Sequence, residues 1–170
     1  MYMKTIHISG KNNKEKLVDG IDPKKMVRSC VSYEEPSHHN QVSLVNKFFM
    51  GQWDIMEKHV KSEISQKISG YKSQDVRKEI LDMETLVTLP SVVEKLVASK
   101  LHCNYCGGIV KILFTYVRDK QQWTLDRIDN NLGHSTENTV ICCLKCNLER
   151  RVLDSEKFTF TKQMRIKKMK

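Results

Sequence analysis

Cys103-Asn-Tyr-Cys106 opens, and Cys143-Leu-Lys-Cys146-Asn147 closes, the stretch whose reading decides the fold. Two Cys-x-x-Cys pairs about forty residues apart read as one four-thiolate zinc site. Gly107-Gly108 follows the first pair, which suits a tight knuckle where two thiolates converge and glycines relieve backbone strain. The second pair falls where a helix over Leu144–Val152 is expected to begin, and the positive end of a helix favours thiolates. Cys142, next to Cys143 in an expected strand, points the opposite way and is left out of the ligand set. Zinc bound by four thiolates has no open coordination position, so this site serves folding and does no chemistry.

Chemistry must come from the residues threaded between the pairs: Trp123-Thr-Leu-Asp126-Arg127-Ile-Asp129-Asn130, Gly133-His134 and Glu137-Asn138. Strands are expected at Ile109–Val117, Trp123–Ile128 and Thr139–Cys142. If the last two form a hairpin packed on the helix, Asp126 and Asn147 converge. A carboxylate and an amide oxygen, completed by water and phosphate, suit magnesium or a similar hard ion. Asp129 precedes Asn130-Asn131 and reads as a turn former.

Outward from this stretch the chain changes character. Residues 1–40 are polar and irregular, with a short strand expected at Thr5–Ile8, loops at 11–16 and 34–40, and Cys30 as a small buried hydrophobe. His38-His39 reads as surface loop. Over 41–100 apolar residues recur at helical spacing. Val42, Val45, Phe48, Trp53, Val60, Ile64 and Ile68 mark one long helix broken near Gly51 and ended by Gly70. Val76, Ile80, Met83 and Leu86 mark a second, ended by Pro90. Ser91 caps a third that runs into Cys103. Residues 101–155 are the zinc domain, and 156–170 a basic tail in which Phe158 and Phe160 suggest a strand. The expected fold class is α+β, a helical N-terminal part packed on a ββα zinc core.

The formal charge is +9, and residues 141–170 carry nine basic against three acidic side chains. That concentration favours a polyanionic partner such as nucleic acid, with Arg150, Arg151, Lys157 and Lys162 set against backbone phosphates. Met1-Tyr-Met-Lys-Thr leads into polar sequence without an apolar signal region, and no run is long enough to span a membrane. An intracellular, reducing compartment is expected, with cysteines kept for metal. The sequence is silent on oligomeric state.

Cys-x-x-Cys, Leu125-Asp-Arg-Ile-Asp129, Gly133-His134, Asn138 and Cys-x-x-Cys-Asn147 together resemble the HNH (ββα-metal, treble-clef) endonuclease superfamily. In detail they are similar to HNH-like proteins of large DNA viruses, over about residues 92–165. The resemblance implies a treble-clef zinc core and a Mg²⁺ or Mn²⁺ ion held by Asp126 and Asn147. It also implies a loop braced by Asn138, and a host cytoplasm or nucleus if the chain is viral. It places the general-base histidine at position 127, where this chain has arginine. Arginine stays protonated and cannot serve as that base, although it can hold a phosphate. His134 is then the candidate base, with loop bracing as its other role. The expected function is a divalent-metal-dependent endonuclease hydrolysing DNA phosphodiester bonds. The alternatives are an inactive treble-clef module binding DNA or RNA, and a zinc-stapled protein-interaction domain.

Overall fold

The computed structural model describes residues 26–28, 33–52 and 54–164. Thr5–Ile8, residues 11–16, Cys30, Trp53 and the last basic residues, for which the sequence raised expectations, lie outside them. Five helices and a two-stranded antiparallel sheet are present among the described residues: α1 His38–Phe49, α2 Ile55–Arg77, α3 Leu89–Ala98, β1 Trp123–Arg127, β2 Thr139–Cys143, α4 Leu144–Arg150 and α5 Ser155–Gln163. The class is therefore α+β.

The break near Gly51 is real. Gly51 takes φ +73° between α1 and α2, a left-handed geometry that a residue without Cβ adopts freely. α2 then restarts on a full capping box, Asp54 with Glu57. His38 and His39 are not loop: they form the first turn of α1, capped by Ser37. Gly70 does not end α2, which runs on to Arg77 because Tyr71 and Asp75 beyond it are buried. The expected second helix is absent. Glu79 turns the chain at φ +58°, and Leu86 pairs with Ser135 while the Val87 N–H donates to the His134 carbonyl at 2.9 Å. Tertiary pairing has overridden helical periodicity there. α3 is capped by Thr88 rather than Ser91, with Pro90 in its first turn, where a missing N–H costs nothing.

The apolar run at Ile109–Val117 forms no strand, only isolated bridges. Some of its backbone groups pair with scattered backbone partners, as the Val110 N–H with the Leu101 carbonyl and the Lys111 N–H with the Gln121 carbonyl, and side chains take others. Gln41, 1% exposed, accepts from the Ile112 and Leu113 N–H groups and donates to the Leu113 carbonyl. Glu35 accepts from the Thr115 N–H. β1 and β2 pair with Trp123 opposite Cys143 and Asp126 opposite Val140, and α4 follows β2 without a loop. The expected strand at Phe158 is helix α5, capped by Asp154. Residues two apart fall on opposite sides of a helix. Phe158 accordingly packs edge-on against Tyr105 while Phe160 is 69% exposed.

Helices and hairpin share one core, in which Val60, Ile64, Val92 and Leu96 meet Trp123, Leu125 and Ile141. Polar ties cross the same boundary. The Leu125 N–H donates to the Tyr71 hydroxyl at 2.8 Å, and Lys95 Nζ donates to the Thr139 carbonyl at 2.8 Å. Among the described residues no helix is long and apolar enough to cross a membrane.

Candidate metal centre and adjoining cleft

Cys103, Cys106, Cys143 and Cys146 converge, with all four Sγ atoms within 4.8 Å of one another. A tetrahedral zinc with Zn–S bonds of about 2.3 Å needs sulfurs roughly 3.8 Å apart, so the cluster could hold such a metal. The knuckle is built as its glycines require. Gly107 takes φ +66°, the Cys103 N–H donates to the Gly108 carbonyl, and a Cβ on Gly108 would meet Cys106 Sγ at 3.3 Å. Cys143 caps α4 and accepts from the Cys146 N–H. A hydrogen bond from Cys143 pulls the Cys103 thiol well below its ordinary range, while burial pushes Cys146 up. Cys142 stands apart: it is buried against Thr124, and burial raises its thiol, so it stays protonated.

Beside this centre lies a cleft of about 470 Å³ between α2, β1, the 130–134 loop and the end of α4. Asp126, Arg127, His134 and Asn147 all line it, as do Lys78 and Arg151. Asn138 does not. It braces the loop, accepting from the Asp129 N–H and donating to the carbonyls of Asp129 and Gly133. Asp129 stabilises the turn by accepting from Asn131.

Asp126 is more engaged than its sequence position suggests. Its Oδ2 accepts from the Tyr105 hydroxyl at 2.7 Å and from Arg150 Nε, and Arg150 Nη2 lies 3.4 Å from Oδ1. Burial holds the Tyr105 phenol above its ordinary range, so it remains a donor. Asn147, half-buried on the first turn of α4, donates through Nδ2 to Thr124 Oγ1 and the Leu125 carbonyl. What the chain offers a hard cation here is the lightly engaged Asp126 Oδ1 and the Asn147 amide oxygen. Among the described residues only the four cysteines form a cluster of three or more His, Cys, Asp or Glu ligands.

Arg150 departs from its expected role. It is 1% exposed and spends its guanidinium on Asp126, the Arg127 carbonyl and Asn130, so no face of it is left for a phosphate. Arg127 is different. Its Nη1 donates to the Leu132 carbonyl and stands 3.9 Å from Asp75 Oδ1, and its side chain reaches the cleft.

The largest surprise is the partner of His134. Its Nδ1 lies 2.7 Å from Asp75 Oδ1, and its backbone N–H donates to Asp75 Oδ2 at 2.7 Å. Its ring stacks on Tyr71 at 4.6 Å. Burial lowers its pKa from the ordinary value, outweighing Asp75, and Arg127 and Lys78 add to the lowering. That lowering favours the neutral imidazole over the charged one. Asp75 and Tyr71 come from α2, far from the cysteine-bracketed stretch. A signal existed, since positions 64, 68, 71 and 75 continue one inward stripe and Asp75 puts a carboxylate on it.

Gly133 makes this approach possible. A Cβ there would lie 2.8 Å from the Ile80 carbonyl oxygen and 3.2 Å from Asp75 Oδ2. Gly133→Ala is expected to cost about 1–3 kcal/mol through this overpacking, read as a lowered Tm. An unchanged Tm would show that the loop yields freely.

Comparison with known proteins returns no matching family model, no matching curated protein and no matching solved structure. The functional reading therefore rests on this geometry and on the residue pattern.

Proposed function

We propose that the chain is an HNH-type endonuclease with a treble-clef zinc core, acting on DNA phosphodiester bonds. One observation carries this reading: a buried histidine lines a cleft together with the cationic side chains of Lys78, Arg127 and Arg151. A neutral imidazole accepts a proton from water, and the cations bind a phosphodiester and favour the charge that builds on it. His134 thus takes the base role for which position 127 no longer qualifies. Arg127 does two things in this reading. It donates to phosphate, and its fixed charge adds to the lowering of the His134 pKa that burial causes.

Asp126 Oδ1 and the Asn147 amide oxygen are the atoms that would hold Mg²⁺ or Mn²⁺, with water and phosphate completing its shell. Such an ion, when bound, stabilises the scissile phosphate and leaving oxygen. Two protein oxygens with one already shared make a weak site, so millimolar metal is the concentration to supply.

The test is plasmid cleavage at enzyme excess with magnesium or manganese. Wild type should nick or linearise DNA. His134→Ala should lower the rate on the order of 10²–10⁴-fold, with Asn147→Ala also strongly impaired. Because burial depresses the His134 pKa, its acid limb should lie below the ordinary histidine value of about 6.5. No metal-dependent product from wild type would refute nuclease activity. Salt-sensitive binding of DNA or RNA without cleavage would then favour the inactive nucleic-acid module, a reading that Arg127 at the base position also suits.

A further inference from the structure

The helical part of the chain has no assigned role, yet α2 passes under the cleft and delivers one fully buried carboxylate to it. Asp75 is 0% exposed, and the groups that face it are few. Its two oxygens take the ring Nδ1 and the backbone N–H of His134, each at 2.7 Å, and Arg127 Nη1 stands 3.9 Å away. The carboxylate accepts from a backbone N–H that can only donate, which leaves Oδ1 as the acceptor for the ring. Nδ1 must then carry the proton, and the lone pair sits on Nε2.

The surroundings hold that arrangement on every side. Tyr71, one turn earlier on α2, stacks on the ring with planes 21° apart, and its own hydroxyl is anchored by the Leu125 N–H. Gly133 brings the loop within contact of Asp75 and of the Ile80 carbonyl. The charged groups near the ring are Asp75 from α2, Lys78 at its C-cap and Arg127 from β1.

We propose that Asp75 is a positioning residue: the carboxylate on α2 fixes the His134 ring and its Nδ1–H tautomer, leaving Nε2 as the basic atom for the cleft. The helical part is then a component of the active site and not an attachment to it. The consequence for rate rests on the nuclease reading above; the consequence for the ring does not.

Asp75→Asn separates the two. An amide at position 75 still accepts from the His134 N–H but presents NH₂ to Nδ1, which favours the opposite tautomer. The experiment records the imidazole nitrogen and carbon-bound proton correlations of the full-length zinc-loaded protein by NMR. His134 is assigned by the signal lost in His134→Gln. Wild type should show the Nδ1–H form and Asp75→Asn the Nε2–H form. In the cleavage assay kcat should fall on the order of 10³–10⁴-fold with KM changed less than about threefold, and Asp75→Glu should recover part of the loss. An Nε2–H or protonated ring in wild type at neutral pH overturns the proposal, whether or not any variant folds. So does an unchanged tautomer in folded Asp75→Asn. If wild type cuts no DNA but shows the expected tautomers, the nuclease reading fails and the positioning role stands.

Discussion

Chelating the metal at the four cysteines is expected to unfold the hairpin and α4, together with the knuckle at 103–108. The reason lies in what those segments have besides the thiolates. β1 and β2 are five residues each, and an isolated two-stranded hairpin is marginal in water. α4 has seven residues, too few to persist alone. The knuckle and the start of α4 come from opposite ends of the stretch, and the cysteine cluster joins them. Structural zinc contributes on the order of 10 kcal/mol or more at neutral pH, which is comparable to the whole stability of a typical domain. Purified protein should carry one zinc per chain by elemental analysis. A strong chelator should lower Tm sharply, and added zinc should restore it. Cys146→Ala should behave like the chelated protein, whereas Cys142→Ala should keep its zinc and lose only the packing of a small buried side chain. Zinc-free protein with an unchanged melt would remove the metal from the account of stability.

Breaking the Asp126–Arg150 pair is the second large effect. Arg150 is 1% exposed and Asp126 7%, and the pair knits β1 to α4 while Tyr105 ties it to the knuckle. Arg150→Ala strands a buried carboxylate, and Asp126→Ala strands a buried guanidinium. Either should cost about 3–5 kcal/mol, on the order of 10 °C in Tm for a chain of this length. The double replacement Asp126→Leu with Arg150→Met should regain much of that loss, because no charge is left unpaired. Additive single effects in a double-mutant cycle would show that the pair is not coupled. The result bears directly on function: loss of cleavage in Asp126→Ala cannot by itself identify a metal ligand. Asn147→Ala is the cleaner probe, since its amide gives up only two neutral hydrogen bonds.

Much of the metal centre was legible in order along the chain. Cys-x-x-Cys spacing, the glycines behind the first pair and the helix start at the second are local features, set by backbone geometry over a few residues. The hairpin strands and the exclusion of Cys142 followed from alternation within five-residue segments. Asp129 was readable as a turn former because its partner Asn131 lies two residues on, whereas the bracing role of Asn138 was an expectation from the resemblance alone. Where periodicity was read without its partners, it misled. Ile109–Val117 has a strand's composition, but Gln41, over seventy residues away, takes the backbone of Ile112 and Leu113 at its centre, and the flanking groups pair with separate segments. Val76–Val87 has helical spacing, but the chain turns at Glu79 to pair with the loop around His134.

The sequence by itself determined that four cysteines fall in two Cys-x-x-Cys pairs that could hold one metal, and that position 127 carries a fixed positive charge. Only the tertiary structure decided which groups face each other across the cleft. It brought Asp75 to His134 over 59 residues and spent Arg150 on Asp126 instead of on a ligand. Spacing encodes contacts closed by one turn or one strand. A buried charge, by contrast, takes whichever opposite partner packing delivers, and that partner carries no mark in the local sequence.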